Sequence, residues 1–325
     1  MKATSGTKLR ANSSPARARH TRIVPLKFQQ DDEALRGDAG LLWLWIAGEK
    51  KGKKNRMKTL QGKVAVVLGA SAEGGTGWAI VESLAAHGAK VVVSARSAEP
   101  RERLAADIKG TAVVCDAGEE AQIAALAQRA TETYGKLDIA VNSAGLPVMS
   151  SIAEATRESL EVATRVNYFG NVFFVKYTAE AIGEEGSITL ITSLAAERPT
   201  FPVFAYACAK AAADCLVRYA ALEYGPRRIK VNSILPEPIV SDLSRELYAI
   251  PGVAEVQTRE VPLGRLGYPA DYANAVLWLA GPAFVTGVNL PVCGGNQLTR
   301  LLSQDELPLE PGSYQRMGKP LHDRG

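Results

Sequence analysis

From Lys63 to Val292 the chain repeats one pattern, a short β-branched run followed by an Ala-rich amphipathic stretch. KVAVVLG, KVVVSA, TAVVC, LDIAVNSA, SITLITS, IKVNSIL and VNLPV read as seven strands. Helices are predicted over about 77–87, 99–108, 119–134, 160–182 and 205–224. Strands that alternate with helices are joined by crossovers and lie parallel, with helices covering both faces of the sheet. The expected fold is therefore α/β, a doubly wound parallel seven-stranded sheet in a single domain. Its ligand site should lie at the carboxyl ends of the strands, near the point where strand order reverses. No internal repeat interrupts the pattern.

Charge is distributed unevenly. The 325 residues carry a formal net charge of +4, yet residues 1–58 alone hold 14 Lys/Arg against 5 Asp/Glu. The remainder is mildly acidic, which gives a nucleic-acid footprint on the folded part little support. Residues 1–58 read as a basic N-terminal extension. An Arg-rich, acid-poor start is compatible with an organellar transit peptide. The favoured alternative is a disordered tail ahead of Met57. Trp43 and Trp45 are out of character for a pure tail. Residues 299–325, polar and rich in Pro and Gly, read as a C-terminal arm.

Cys115, Cys208, Cys215 and Cys293 show neither a CxxC pair nor metal-ligand spacing, so reduced thiols in a reducing, cytoplasmic setting are expected. The apolar run at 41–48 is far short of the ~20 residues that span a bilayer, so no membrane anchor is expected.

Chemistry concentrates in YACAK, where Tyr206 and Lys210 stand four residues apart on a predicted helix and share a face. A tyrosine of ordinary pKa ~10 is a weak proton-transfer group at neutral pH. A fixed ammonium beside it favours the phenolate and lowers that value. Tuned this way, the phenol can exchange a proton with a carbonyl or alcohol oxygen. Ser193, at the end of SITLITS, can donate a hydrogen bond to the same oxygen.

The first strand runs into LGASAEGGTGWAI, whose Gly69, Gly74, Gly75 and Gly77 precede a helix. Such a turn lets a pyrophosphate approach the backbone and rest on the helix N-terminus. The second strand ends in SARS, without the acidic residue that would bind an adenosine ribose diol. Arg96 there favours a 2′-phosphate, hence NADP(H), with NAD(H) left open. Asp116, past the third strand, either meets the adenine or caps the helix beginning near Glu119.

Taken in order, the Gly-rich turn, NSAG (142–145), VNYFG, ITS, YACAK, VNSILPEP and VPLGRLG…VTGVNLPVCGG resemble the short-chain dehydrogenase/reductase family, in its ketoreductase branch, over residues 60–298. The resemblance implies a Rossmann-type fold and a catalytic set of Ser193, Tyr206, Lys210 and Asn167. It implies cofactor contacts at Gly69, Ser71, Gly75, Thr76, Gly77, Arg96, Asp116, Asn142, Ala144, Gly145, Pro236, Ile239 and Ser241, with Tyr206 and Lys210 shared between the two roles. It also implies a homo-oligomer, a tetramer or dimer, built through the helices at about 160–182 and 205–224.

Three departures qualify the match. The Gly-rich turn is two residues longer than usual and is similar to that of plant-type enoyl-ACP reductases. Those enzymes space tyrosine and lysine more widely, and Phe204 stands where their tyrosine would fall. Ser143 replaces the commoner asparagine of NNAG. Glu237 follows Pro236 where the family has glycine; its carboxylate is expected to point to solvent, the alternative being that it faces the pocket.

Segments 146–151, 194–201 and 243–261 should shape the substrate site. They are largely apolar (Leu146, Val148, Met149, Leu194, Phe201, Leu243, Tyr248), with Arg198 and Arg245 as exceptions. The resulting expectation is an NADP(H)-dependent oxidoreductase that interconverts a ketone and a secondary alcohol of apolar character. The competing readings are a dinucleotide-sensing scaffold without turnover and an enoyl-thioester reductase.

Overall fold

A computed structural model describes residues 59–200, 202–241, 244–300, 302 and 306–308. The extension at 1–58, most of the C-terminal arm, Phe201 and Leu243 lie outside the described residues. The seven strands are β1 (Val64–Leu68), β2 (Lys90–Ala95), β3 (Thr111–Val114), β4 (Ile139–Asn142), β5 (Gly186–Ile191), β6 (Ile229–Pro236) and β7 (Asn289–Val292). They form one sheet in the order β3-β2-β1-β4-β5-β6-β7, and every neighbouring pair is parallel. Strand order reverses between β1 and β4, as a doubly wound sheet requires.

Helices cover both faces: α1 (Thr76–Ala86), α2 (Ala98–Asp107), α3 (Glu120–Tyr134), α4 (Arg157–Thr164), α5 (Gly170–Ile182), α6 (Phe204–Tyr224), the short α7 (Arg245–Tyr248) and α8 (Val253–Arg259), and α9 (Pro269–Ala280). Successive strand residues point to opposite faces. In β1, Val64, Val66 and Leu68 accordingly join a core with Ile123 and Leu126 of α3, Phe174 of α5 and Val217 of α6. Ala65 and Val67 join the opposite core with Ile80 and Leu84 of α1 and Val276 and Leu279 of α9. All five β1 residues are buried, so this strand ties the two layers together.

One predicted helix proves to be two. The segment at 160–182 is interrupted by a π-helical turn, Arg165–Phe169, between α4 and α5. The Asn167 amide donates to the Ala163 carbonyl one turn earlier (3.0 Å) and across to that of Leu146 in the loop after β4 (2.9 Å). A side chain bonded to its own helix competes with the regular ladder, and π turns of this kind concentrate at functional sites.

At the opposite edge of the sheet, Asp138 ties β1 to β4. Its carboxylate accepts from the Val64 N–H (2.8 Å) and pairs with Lys63 and Lys136, both at 3.0 Å. Burial pushes this carboxyl up, but those three donors outweigh burial and hold it below the ordinary value. Asp138→Ala orphans the Val64 N–H and should cost about 1–3 kcal/mol. A carboxyl depressed in the folded state stabilises above its unfolded pKa, and that stability is lost as pH falls through the folded pKa. The deficit in urea unfolding should therefore be full at neutral pH and shrink below about pH 3.9. A deficit independent of pH would contradict this role.

All four cysteines are free: Cys115 and Cys293 are buried, Cys208 and Cys215 exposed. Burial, with Asp116 adding to it and Ser94 opposing, pushes the Cys115 thiol up to about 12, which keeps it protonated and inert. Among the described residues, no helix is long and apolar enough to cross a membrane.

Candidate active site

Three adjacent elements at the carboxyl edge of the sheet bring Ser193, Tyr206, Lys210 and Asn167 together. Ser193 follows β5 and caps a 3-10 turn (Leu194–Ala196), its hydroxyl accepting from the Ala195 N–H at 3.2 Å. Tyr206 lies in the first turn of α6 and Lys210 one turn later. The Lys210 ammonium, almost wholly buried, donates to the Ile191 carbonyl at 2.8 Å and lies 5.5 Å from the Tyr206 ring centre. Asn167 accepts from the Leu146 N–H at 3.1 Å. A Cβ on Gly145 would stand 3.3 Å from Lys210 Nζ and 3.5 Å from Asn167 Oδ1, so both side chains lie against that glycine.

The electrostatics differ from the expectation of an acidified phenol. Burial raises the Tyr206 pKa, the Glu237 charge raises it further, and a hydrogen bond with Ser193 pulls only partly the other way. The ammonium has turned to the Ile191 carbonyl, and burial has brought its own pKa down to about 8 against the opposing charge of Asp214. In this state Tyr206 is a neutral phenol, a proton donor. Behind the lysine, Asp214 accepts from the Ser233 hydroxyl at 2.8 Å, and burial pushes its carboxyl up to about 6.

The Gly-rich turn meets the β4 loop through glycine alone. Gly69 has φ +97°, and a Cβ there would overlap the Ser143–Ala144 backbone; one on Gly77 would overlap the Gly69 carbonyl. Gly75 is the N-cap of α1, which has no side-chain cap and no acidic residue in its first turn. Its first N–H groups are therefore available to an anion. Ser71 is exposed and Thr76 half-buried beside them.

Arg96 and Asp116 leave adjacent strand ends and face each other at 3.9 Å, with Arg96 mostly in solvent. Asp116 caps the following turn, accepting from the Gly118 N–H at 2.8 Å, while the α3 N-cap is Glu119.

Asn142 orders the next loop. Its Oδ1 accepts from the Ala144 N–H (3.0 Å) and its amide donates to Asn171 Oδ1 (2.9 Å), whose own amide donates to the Asn167 carbonyl (2.8 Å). Asn171 was missed in the sequence, although its four-residue spacing from Asn167 is visible in VNYFGN. Pro236, which ends β6, is buried, and beyond it Ser244 donates to the Ile239 carbonyl (2.5 Å) while accepting from the Ser241 N–H (2.9 Å). Ser244, also missed, thus shapes the segment that carries Ile239 and Ser241.

Two side chains expected to line the substrate site do other work. Leu194 is fully buried, and Arg198 donates to the carbonyls of Gln297 and Thr299. Tyr248 donates to Gln257 at 2.5 Å, joining α7 to α8. Arg245 reaches back to the Gly-rich turn, 3.4 Å from where a Cβ on Gly74 would stand.

Glu237 does not project into open solvent, contrary to expectation. It is half-buried, burial pushes its carboxyl up to about 7, and its charge is felt by Tyr206, Tyr248 and Tyr272.

Comparison with known proteins agrees with this architecture. A family model described as enoyl-(acyl carrier protein) reductase matches residues 69–297. The 7alpha-hydroxysteroid dehydrogenase of Escherichia coli K12 is 35% identical over 249 residues, covering 73% of this chain and 94% of that protein. The L-rhamnose 1-dehydrogenase (NAD(P)(+)) of a Sphingomonas species is 32% identical, covering 74% and 98%. A crystal structure of a dehydrogenase/reductase from Sinorhizobium meliloti 1021 superposes with a TM-score of 0.69 at 32% identity, covering 74% of this chain and 97% of that one.

Proposed function

The chain belongs to the short-chain dehydrogenase/reductase family, and on that premise we propose that it is an NADP(H)-dependent oxidoreductase interconverting a ketone and a secondary alcohol. The observation that carries this reading is the grouping of Ser193, Tyr206, Lys210 and Asn167 at the carboxyl edge of the sheet, with Lys210 and Asn167 against the Gly145 loop. The dehydrogenase names of its relatives support the same chemistry.

The residues present fit a dinucleotide. The uncapped N-terminus of α1, together with Gly69, Ser71, Gly75, Thr76 and Gly77, suits a pyrophosphate. Arg96 would meet a 2′-phosphate and Asp116 the adenine side. Asn142, Ala144 and Gly145 would line the middle of the cleft, with Pro236, Ile239, Ser241 and Lys210 at the nicotinamide end. When bound, the dinucleotide supplies the hydride chemistry.

The protein's part is orientation and one proton. The hydroxyls of Ser193 and Tyr206 would both donate to the substrate oxygen, fixing the carbonyl. In reduction Tyr206 passes its proton to that oxygen, and the phenolate left behind is stabilised by the Lys210 ammonium. Asn167 holds the Leu146 backbone and stands beside Lys210, where proton exchange with solvent would be relayed. The exposed Leu160, Phe169, Tyr219 and Leu222, on α4 to α6, support a homo-oligomer.

Titration with NADPH and NADH followed by a carbonyl and alcohol panel tests this reading. NADPH should bind more tightly, and Arg96→Ala should weaken it roughly tenfold while sparing NADH. NADH binding equal to or tighter than NADPH would refute the role of Arg96. Dinucleotide binding with no turnover across the panel would favour the sensing scaffold instead.

A further inference from the structure

Three buried asparagines bracket the Gly145 loop, and Asn171 joins the other two. Asn171 is the second residue of α5 and only 1% exposed. Its Oδ1 accepts from the Asn142 amide at 2.9 Å, and its own amide donates to the Asn167 carbonyl at 2.8 Å. Asn142 and Asn167 are buried as deeply. Amides withdrawn from water this far are costly to leave unpaired, so the bonds among them fix their orientation firmly.

The bracket has one arm on the sheet and one on the π turn. Asn142 ends β4 and holds the Ala144 N–H at 3.0 Å. Asn167 holds both polar groups of Leu146, accepting from its N–H (3.1 Å) and donating to its carbonyl (2.9 Å). Gly145 hangs between these two holds, directly against Lys210 Nζ.

Asn171 fixes the peptide from which the Asn167 side chain departs. That side chain is bent to a partner outside its helix as well as to the Ala163 carbonyl, an arrangement that competes with the regular ladder. The amide at 171 closes on the 167 carbonyl and holds the turn in this form. Its own position is secured by Gly170, where a Cβ would overlap the Ala117 carbonyl, so α5 begins tight against the loop after β3. Any shift of Asn167 would pass through Leu146 and Gly145 to the place where Lys210 rests. Misplacement of a reacting group by ~1 Å can cost about a hundredfold in rate.

We propose that Asn171 is a positioning residue of the reaction, locking the Asn167 turn to the Gly145 loop so that Asn167 and Lys210 keep the geometry that proton transfer at Tyr206 requires. It acts through Asn142 and Asn167, since its burial keeps it from substrate and dinucleotide alike. Asn142 still holds the Ala144 N–H when Asn171 is lost, so the effect falls on turnover rather than on dinucleotide affinity. This inference rests on the oxidoreductase reading above and adds a residue to it.

The test is a pair of variants that differ by one hydroxyl. Thr164 and Thr178 each donate to the carbonyl four residues earlier, both at 2.6 Å, so a threonine hydroxyl at 171 can reach the Asn167 carbonyl. Valine has the same shape without the donor. For wild type, Asn171→Val and Asn171→Thr, kcat on a ketone reduced by the wild type is measured well below the unfolding midpoint, together with the NADPH dissociation constant. Asn171→Val should lose at least about tenfold in kcat while NADPH affinity stays within about threefold. Asn171→Thr should regain most of that loss.

Wild-type kcat in Asn171→Val overturns the proposal, as does an equal loss in the valine and threonine variants. A fall in NADPH affinity as large as the fall in kcat overturns it too. Should Asn171→Val not fold, Asn171→Ala and Asn171→Ser form the same kind of pair. Serine should then exceed alanine severalfold in kcat, and equality overturns the proposal. A wild type that binds NADPH but reduces no ketone looks different, because it sinks the oxidoreductase reading itself and this inference with it.

Discussion

Tyr206→Phe is expected to lose roughly 10²–10⁴-fold in turnover, the range that a positioned general acid contributes. Its fold and NADPH affinity should stay close to wild type. The change removes one hydroxyl and leaves the ring that faces Lys210 at 5.5 Å. The loss should appear in kcat, because the proton is needed at the substrate oxygen only as the carbonyl is converted. The pH profile should carry the lysine as well. Lys210 is held down to about 8 by burial, so the ammonium that supports the departing proton is present below that pH and lost above it. Reduction by the wild type should therefore fall as pH rises past about 8. A Tyr206→Phe enzyme with near-normal kcat on a ketone reduced by the wild type would remove the tyrosine from the chemistry.

Gly69→Ala should produce the largest structural effect. At φ +97° an L-residue costs about 1–2 kcal/mol, and the new methyl would collide with the Ser143–Ala144 backbone, adding roughly 1–3 kcal/mol of overpacking. Neither neighbour is the end of a flexible side chain that could swing aside. The Gly-rich turn and the β4 loop would have to part, so dinucleotide affinity should fall along with the unfolding midpoint. Gly62→Ala is the control. It shares the positive φ, +79°, but a Cβ there meets nothing within 4 Å, so only the conformational penalty applies. Equal losses in the two variants would show that the close approach at Gly69 is unimportant.

The sheet was legible because its signal is local. A run such as KVVVSA carries its strand in its own β-branched residues, and the structure starts and ends β2 on the same two residues. The 160–182 helix was misread because the π turn depends on a tertiary contact, Asn167 with the Leu146 loop, that periodicity does not register. YACAK was legible for the same reason as the strands, since residues four apart on a helix share a face whatever surrounds them.

The sign of the Tyr206 shift was not legible. Burial of the hydroxyl sets it first, with the charges of Glu237 and Asp214 adding to it against the Ser193 hydrogen bond, and all of these belong to the folded state. Glu237 stands out in the sequence as a departure from Pro-Gly, but its partial burial belongs to the folded state. Arg198 reads in the sequence as a polar exception within a largely apolar substrate segment. In the structure it secures the Gln297 and Thr299 carbonyls instead, a contact about a hundred residues away.

The most direct measurement of the central claim is single-turnover transfer of deuterium from 4,4-dideuterated NADPH to a ketone reduced by the wild type, run in parallel with Tyr206→Phe. The wild type should deliver one deuterium to the carbinol carbon of each alcohol formed, while the variant binds the same dinucleotide and transfers it at least about a hundredfold more slowly. Comparable transfer rates in the two proteins, or an alcohol without label at that carbon, would contradict the account.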